Sequence, residues 1–317
     1  MRILTFFLAV LCGVAASGSV AVAQVVAVEP EFLAIGFSKN SSRERGVGVW
    51  KKGATRVEIF DKKRFFNLNG TRVYLGNATS FDKGKFFIRK HDWEKHVAPL
   101  ASPKKFSMPK KIVIDPGHGG KDPGKINKRG MKEKNYALDI AQRVARILKT
   151  RGYDASLTRT NDTFVELADR PARANERKAD LFISIHLNSA ASAAARGVET
   201  FALTPVGEAS TSGGSAKKTA DVGNARDAQN TLLAFKLHAA VVGKIDAEDR
   251  GVKYANFAVL KTLKCPGALI ECGFLTNTSD TALVATKNGR ERIATGIADG
   301  VDAYARAGGN RVPARRK

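Results

Sequence analysis

Two histidines and two glutamates stand at positions from which they could meet and carry out hydrolytic chemistry. His118 lies in a glycine-rich turn directly after a short apolar segment, His186 ends a second apolar segment, and Glu271 ends a third. Open α/β sheets bind ligands at the carboxyl ends of their parallel strands, so we expect these three side chains to converge. Glu133 opens a helical pattern that should begin near the same edge of the sheet.

This set of side chains suits a catalytic zinc ion. Two imidazoles and one carboxylate typically bind such an ion, which keeps a further position for water. The other carboxylate can then act as a general acid and base. The glycines around His118 permit the sharp turn that brings its ring to a metal. The residues alone do not decide whether Glu133 or Glu271 is the ligand. The chain has no H-E-x-x-H pattern, which excludes that class of zinc peptidase.

The elements that must position these residues alternate between strand and helix from Lys111 onward. Continuous apolar runs typical of buried strands alternate with apolar spacing typical of helices. This order predicts an α/β fold with a mostly parallel central sheet flanked by helices. The predicted strands are 111–115, 155–158, 181–186, 198–203 and 268–271, and the predicted helices are 137–148, 168–178, 225–245 and 290–304.

Four segments of the chain match the signatures of one enzyme family in order and spacing. They are DPGHGGKDPG, KEKN, SIHLNS and IECGFLTN. With them, the chain resembles the zinc-dependent N-acetylmuramoyl-L-alanine amidases known as type 3. The resemblance implies that His118, Glu133 and His186 bind Zn²⁺ and that Glu271 is the catalytic carboxylate. It also implies hydrolysis of the amide bond between N-acetylmuramic acid and the L-alanine of the peptidoglycan stem peptide.

Two other functions stay open beside this one. A zinc-dependent peptidase acting on another cell-wall amide would use the same metal chemistry, because the signatures bear more directly on the metal than on the bond. A non-catalytic wall-binding protein with the amidase fold would have lost a ligand or Glu271, and the sequence retains all four residues.

Three further residues are candidates for supporting the ligands or contacting the substrate. Asp115 precedes His118 by three residues, and we expect it to orient a ligand histidine or to cap its loop. Asn188 follows His186 by two residues and could support a ligand or contact the substrate. Arg250 could meet carboxylates of the substrate, although a solvated surface position is the simpler expectation.

The chain divides into predicted regions by composition. Arg2, an apolar run and the sequence Ala21-Val22-Ala23 are typical of a secretory signal peptide over residues 1–23. The run is too short to span a bilayer, so we expect no transmembrane helix in the mature chain and a location in the periplasm, outside the cell or at the wall. The remaining regions are a small β-rich accessory domain (24–100), a linker (101–110), a catalytic domain (111–306) and a basic disordered tail (307–317).

The accessory region shows short β-like segments and a strong hairpin signal at Asn69-Gly70. Part of it is similar to the small β modules named after the N terminus of copper amine oxidase. His91 and His96 in this region could be imagined as metal ligands, but a solvated helix face is the expected position for such a pair. The predicted strands are 32–37, 47–50, 56–60, 71–75 and 85–88.

Charge and cysteine content indicate the partners and the redox chemistry. The formal net charge of +23 predicts a polyanionic partner. In an exported protein this favours peptidoglycan and anionic wall polymers over nucleic acid, for which no recognition motif is present. Cys265 and Cys272 are expected to be free, buried thiols. The segment 204–224 is rich in Ser, Gly, Thr and Ala, so we expect an exposed loop without a stable helix that would block the active site.

Overall fold

The computed structural model describes residues 24–42 and 44–312, so the predicted signal peptide and the end of the predicted tail lie outside the described residues. The strands are β1 (Val25–Ala27), β2 (Ser38–Asn40), β3 (Val47–Lys52), β4 (Thr55–Phe60), β5 (Phe65–Leu68), β6 (Thr71–Tyr74), β7 (Ser80–Asp82), β8 (Lys85–Arg89), β9 (Lys111–Pro116), β10 (Asp154–Leu157), β11 (Leu181–Asn188), β12 (Val198–Leu203), β13 (Asp249–Ala255) and β14 (Gly267–Phe274). The helices are α1 (Val28–Ala34), α2 (Lys90–Asp92), α3 (Ala98–Ala101), α4 (Glu133–Thr150), α5 (Asp169–Glu176), α6 (Asp227–Ile245), α7 (Ala258–Lys261), α8 (Thr278–Ala285) and α9 (Lys287–Ala307). A π-helical turn spans Trp93–Val97 and a 3₁₀ turn spans Val222–Arg226.

One large sheet organises the molecule. Its eleven strands run in the order β10-β9-β11-β14-β12-β13-β6-β5-β4-β3-β2. In the half that contains the predicted catalytic residues, β12 pairs antiparallel with β14, whereas the other neighbouring strands from β10 to β13 pair parallel. The predicted α/β fold with a flanked, mostly parallel central sheet is confirmed for this half.

The alternation of side chains along β11 decides which residues reach the site. Ile183 and Ile185 are buried in the larger core, which α4, α6 and α9 cover. Phe182 points to the opposite face, where it packs in a smaller core with residues of α5 and α7. Because side chains alternate with a period of two along a strand, His186 shares the face of Phe182. The histidine therefore leaves the sheet on the side of the smaller core.

The amino-terminal strands extend the same sheet. β6 pairs parallel with β13 through Val73 and Val252, and β2 to β6 then follow as an antiparallel meander. The division into an accessory and a catalytic domain stays a prediction, but the sheet is continuous across it. The predicted strand over 32–37 is wrong: residues Val28–Ala34 form α1, because Val28 and Phe32 are four apart and bury one helical face.

Two further features concern the segment between the β-rich region and β9. The prediction that His91 and His96 lie on a solvated helix face is wrong for His96, which is fully buried. The predicted linker begins at the last residue of α3, and its Phe106 stacks on Tyr304 with ring centroids 4.6 Å apart. Within the part of the chain that the structure describes, none of the helices has the length and apolar content needed to cross a bilayer.

Cys265 and Cys272 are both buried and unpaired, as predicted. Burial raises the pKa of the Cys265 thiol to about 12, so this group stays protonated and has little nucleophilic character at neutral pH. The segment between β12 and the 3₁₀ turn contains only a short bridge between Ser210 and Gly213, and residues 204–221 form no helix.

Candidate metal centre and active site

The glycine-rich loop after β9 brings two histidine rings together. His118 adopts a left-handed backbone conformation with φ of +59°, which costs a non-glycine residue roughly 1 kcal/mol. A Cβ atom on Gly117 would lie 2.6 Å from both ring nitrogens of His186, and one on Gly124 would lie 2.7 Å from Oε2 of Glu133. These two positions therefore require glycine because the ligand side chains pass directly over the backbone.

Glu133 joins the two histidines. Its Oε1 lies 3.0 Å from Nε2 of His118 and 3.0 Å from Nδ1 of His186. The backbone N–H of Leu187 donates to the same oxygen at 3.1 Å, and that of Lys125 donates to Oε2 at 2.9 Å. These contacts place the first residue of α4 against the carboxyl end of β11, as the sequence predicted.

The electrostatics of this triad suit a bound cation. Burial would raise the pKa of Glu133, but hydrogen bonds and charge interactions with His118 and His186 outweigh it and lower that pKa strongly. The carboxylate is thus ionised at neutral pH and aimed at two imidazole nitrogens. One atom from each of the three residues lies within 4.8 Å of the others. Two imidazoles and a carboxylate at this spacing fit the ligand set of a catalytic zinc ion.

Asp122 supports the site from behind the first histidine, and the sequence reasoning did not single it out. Its Oδ2 lies 2.7 Å from Nδ1 of His118, the ring nitrogen that faces away from Glu133. A carboxylate in this position sets the tautomer of a ligand histidine and raises its basicity. The sequence feature that could have identified Asp122 is its position four residues after His118, within DPGHGGKDPG.

We expect the substitution Asp122→Asn to weaken zinc binding by about 10- to 100-fold without unfolding the protein, because a carboxylate that orients a ligand histidine has an effect of that size. Competition with a chromophoric chelator would measure the change. Asp154→Asn, at an exposed position at the start of β10, is the control. An unchanged zinc affinity in the Asp122 variant would contradict this role.

Glu271 lies beside the triad because of strand register. β11 and β14 pair so that His186 and Glu271 are direct neighbours, and both point to the same face. Oε2 of Glu271 is buried and has no hydrogen-bond partner in the described structure. Burial and the charges of Glu133 and Glu199 raise its pKa well above the ordinary value. The raised pKa favours proton uptake by this carboxyl group, which suits a general acid and base.

Glu199 is a further acidic residue beside Glu271, and the sequence reasoning missed it. It lies opposite Glu271 on the neighbouring strand β12. Arg250 donates to its Oε1 at 2.5 Å, Lys253 donates to the same oxygen at 2.8 Å, and Asn188 donates to Oε2 at 3.2 Å. Two of the predicted candidates, Asn188 and Arg250, therefore contact this buried glutamate.

The sequence predicts that Asp115 either orients a ligand histidine or caps the loop of His118, and its contacts favour the second role. It is fully buried and accepts hydrogen bonds from Thr158 (2.6 Å), Ser184 (2.8 Å) and Arg170 (3.0 Å). Arg170 in turn donates to the carbonyl oxygen of His118 at 2.8 Å. Asp115 thus anchors the loop that carries His118 and makes no hydrogen bond to either ligand ring.

A cavity of about 530 Å³ is lined in part by Lys125, whose backbone N–H donates to Glu133. Its walls come from three segments that flank the site: 125–129 after the His118 loop, 190–193 after β11, and 275–281 after β14. The segment 125–129 contributes Lys125, Lys128 and Arg129, so one wall is basic. A cleft of this kind could hold a peptide that carries carboxylates.

Comparisons with known proteins agree with this geometry. The family model for N-acetylmuramoyl-L-alanine amidase matches residues 112–303. The amidase AmiA of Escherichia coli strain K12 is 36% identical over 236 residues, which are 66% of this chain and 80% of that protein.

Solved structures with the same fold include two amidases whose sequence identity to this chain is similar. The N-acetylmuramoyl-L-alanine amidase from Clostridium difficile 630 is 33% identical with a TM-score of 0.53, and the match covers 62% of this chain and 97% of that one. The amidase AmiC2 of Nostoc punctiforme is 34% identical with a TM-score of 0.52, over 62% of this chain and 96% of that one. The family match covers more than half of the chain and contains all four residues of the site, so the protein belongs to the N-acetylmuramoyl-L-alanine amidase family of hydrolases.

Proposed function

We propose that this protein hydrolyses the amide bond between N-acetylmuramic acid and L-alanine in peptidoglycan, with Zn²⁺ held by His118, Glu133 and His186 and with Glu271 as the acid and base. The observation that carries the proposal is the carboxylate of Glu271, which stands next to the triad with a buried oxygen that lacks a hydrogen-bond partner. The membership in the amidase family supports the choice of bond.

Zinc held by the triad would supply Lewis-acid chemistry, since it lowers the pKa of a water molecule and polarises a carbonyl group. The chain's own residues carry out the proton transfers. Glu271 is adjacent to His186 and accepts the proton of the attacking water. The same carboxyl group then donates that proton to the amine of the departing L-alanine, so the glycan and the peptide separate. The raised pKa of Glu271 favours this second, acidic role.

We further propose that the enzyme acts outside the cytoplasm on a polyanionic wall. The signal-peptide pattern and the net charge of +23 support this location. The basic wall of the cavity, with Lys125, Lys128 and Arg129, would attract carboxylates of the stem peptide. Binding to isolated sacculi should therefore weaken as the salt concentration rises.

Digestion of purified muropeptides, followed by mass spectrometry, tests the proposed bond. The expected products are a peptide-free glycan and a peptide that begins with L-alanine. Removing the metal with a chelator should lower the rate by at least about 10³-fold, and Zn²⁺ should restore it, because the triad alone cannot polarise the carbonyl. Cleavage within the peptide instead would identify a zinc-dependent peptidase. Absence of cleavage with intact binding to sacculi would identify a wall-binding protein.

A further inference from the structure

A second group of histidines and carboxylates joins the amino-terminal region to the catalytic half. Asp92 and His96 lie on the helical segment after β8, and Glu208 comes from the loop after β12. All three are at least 95% buried. Nε2 of His96 lies 2.8 Å from Oε1 of Glu208 and 3.6 Å from Oδ1 of Asp92. His91 places its Nε2 3.2 Å from the same Oε1 of Glu208.

The spacing of these atoms resembles that of the active-site triad. In the triad, the imidazole nitrogens lie 3.0 Å from the carboxylate oxygen of Glu133. Ligand atoms at about 2.0–2.1 Å from a tetrahedral zinc ion are about 3.3 Å from each other. The separations of 2.8, 3.2 and 3.6 Å in the second group bracket this value. One ligand atom from each of Asp92, His96 and Glu208 lies within 4.8 Å of the others, so one small cation could contact all three.

The buried negative charges of the group also favour a bound cation. Asp92 and Glu208 bring two carboxylates into a buried position, where an uncompensated charge is strongly unfavourable. A cation bound between them would neutralise both carboxylates. Nε2 of His91 is buried and makes no hydrogen bond, although it lies near Glu208. The neutral imidazole of His96, two carboxylates and one divalent cation together form a site without net charge.

The backbone at Gly76 leaves room for the carboxylate of Glu208 within this group. A Cβ atom on Gly76 would lie 2.8 Å from Cδ and 2.9 Å from Oε2 of Glu208, so a larger residue would displace the carboxylate. The N–H of Gly76 donates to Oδ1 of Asp92 at 2.6 Å, which orients that carboxylate. His96 packs on Tyr254 of β13 with ring centroids 4.2 Å apart. The group is therefore held from both halves of the sheet.

We propose that Asp92, His96 and Glu208 form a second binding site for a divalent cation of the zinc type, with His91 beside it. The cation cross-links the helical segment after β8 to the loop after β12. In this position it stabilises the junction at which β6 pairs with β13. Because Asp92, His96 and Glu208 are all buried, the cation has a structural role, and the hydrolytic reaction proceeds without it.

Metal analysis of the full mature chain tests the site directly. The protein is stripped with a chelator, reloaded with Zn²⁺, dialysed and measured by elemental mass spectrometry. We expect about two zinc ions per chain, because each of the two groups supplies three ligands of its own. Glu208→Gln should hold about one ion and should lose part of the zinc-dependent rise in melting temperature, while it still cleaves muropeptides.

Matched variants separate this site from the proposed active site. Glu133→Gln should also hold about one ion but should be inactive, and Glu248→Gln, an exposed substitution, should behave like the unchanged protein. If Glu208→Gln does not fold, Asp92→Asn takes its place and should likewise hold about one ion. One ion per unchanged chain, or two ions in a folded Glu208→Gln protein, would overturn the second site and would leave the active-site assignment intact.

Discussion

Glu271→Gln is expected to lower the rate of muropeptide hydrolysis by about 10²- to 10⁴-fold, the usual contribution of a general acid and base. The amide keeps the shape of the side chain but can neither accept the proton of the attacking water nor return it to the leaving amine. Zinc content should equal that of the unchanged protein, because Glu271 is placed beside His186 by strand register and not among the three proposed ligands.

Three measurements distinguish this role from a structural one. The rate, the zinc content and the melting temperature are compared for Glu271→Gln and for Glu176→Gln, an exposed control at the end of α5. We expect the melting temperature of the Glu271 variant not to fall, since the buried oxygen of this carboxylate has no hydrogen bond to lose. Hydrolysis that continues at the normal rate would rule out Glu271 as the acid and base.

Arg170→Ala is expected to have the largest effect on stability. The guanidinium group is buried and donates to Oδ1 of Asp115 at 3.0 Å and to the carbonyl oxygens of Pro116, His118 and Val165 at 2.8–2.9 Å. Without it, Asp115 remains as a buried carboxylate without its cation, which costs about 3–5 kcal/mol. A loss of this size corresponds to a fall in melting temperature of roughly 10 °C.

The same substitution should weaken zinc binding by about 10- to 100-fold, because Arg170 holds the loop in which His118 adopts its left-handed conformation. Thermal unfolding and chelator competition measure the two effects. Arg177→Ala, an exposed arginine just after α5, is the control. In the double variant with Asp115→Asn, stability should partly return because the unpaired charge is gone, whereas zinc affinity should not. Normal stability and affinity in the single variant would contradict this account.

Several supporting residues could not be predicted because their partners are distant in the sequence. Glu199 is opposite Glu271 only through the register of β12 and β14. Glu208 and His96 are 112 residues apart and meet only because β6 pairs with β13. Asn188 and Arg250 were identified as candidates, yet their contact with Glu199 follows from side-chain geometry that local patterns do not contain.

The sequence by itself determined the α/β class, the strands that carry His186 and Glu271, the turn that carries His118, and the helix start at Glu133, although the two strands continue to Asn188 and Phe274. It could do so because apolar runs predict buried strands, and parallel strands bring their carboxyl ends to one edge of a sheet. Only the tertiary structure decided that Glu271 is the neighbour of His186, that Asp122 and Arg170 hold the His118 loop, and that the amino-terminal strands join the catalytic sheet. These contacts depend on strand register and on close packing between distant segments. A one-residue change of register would reverse the faces of a strand without changing its apolar pattern.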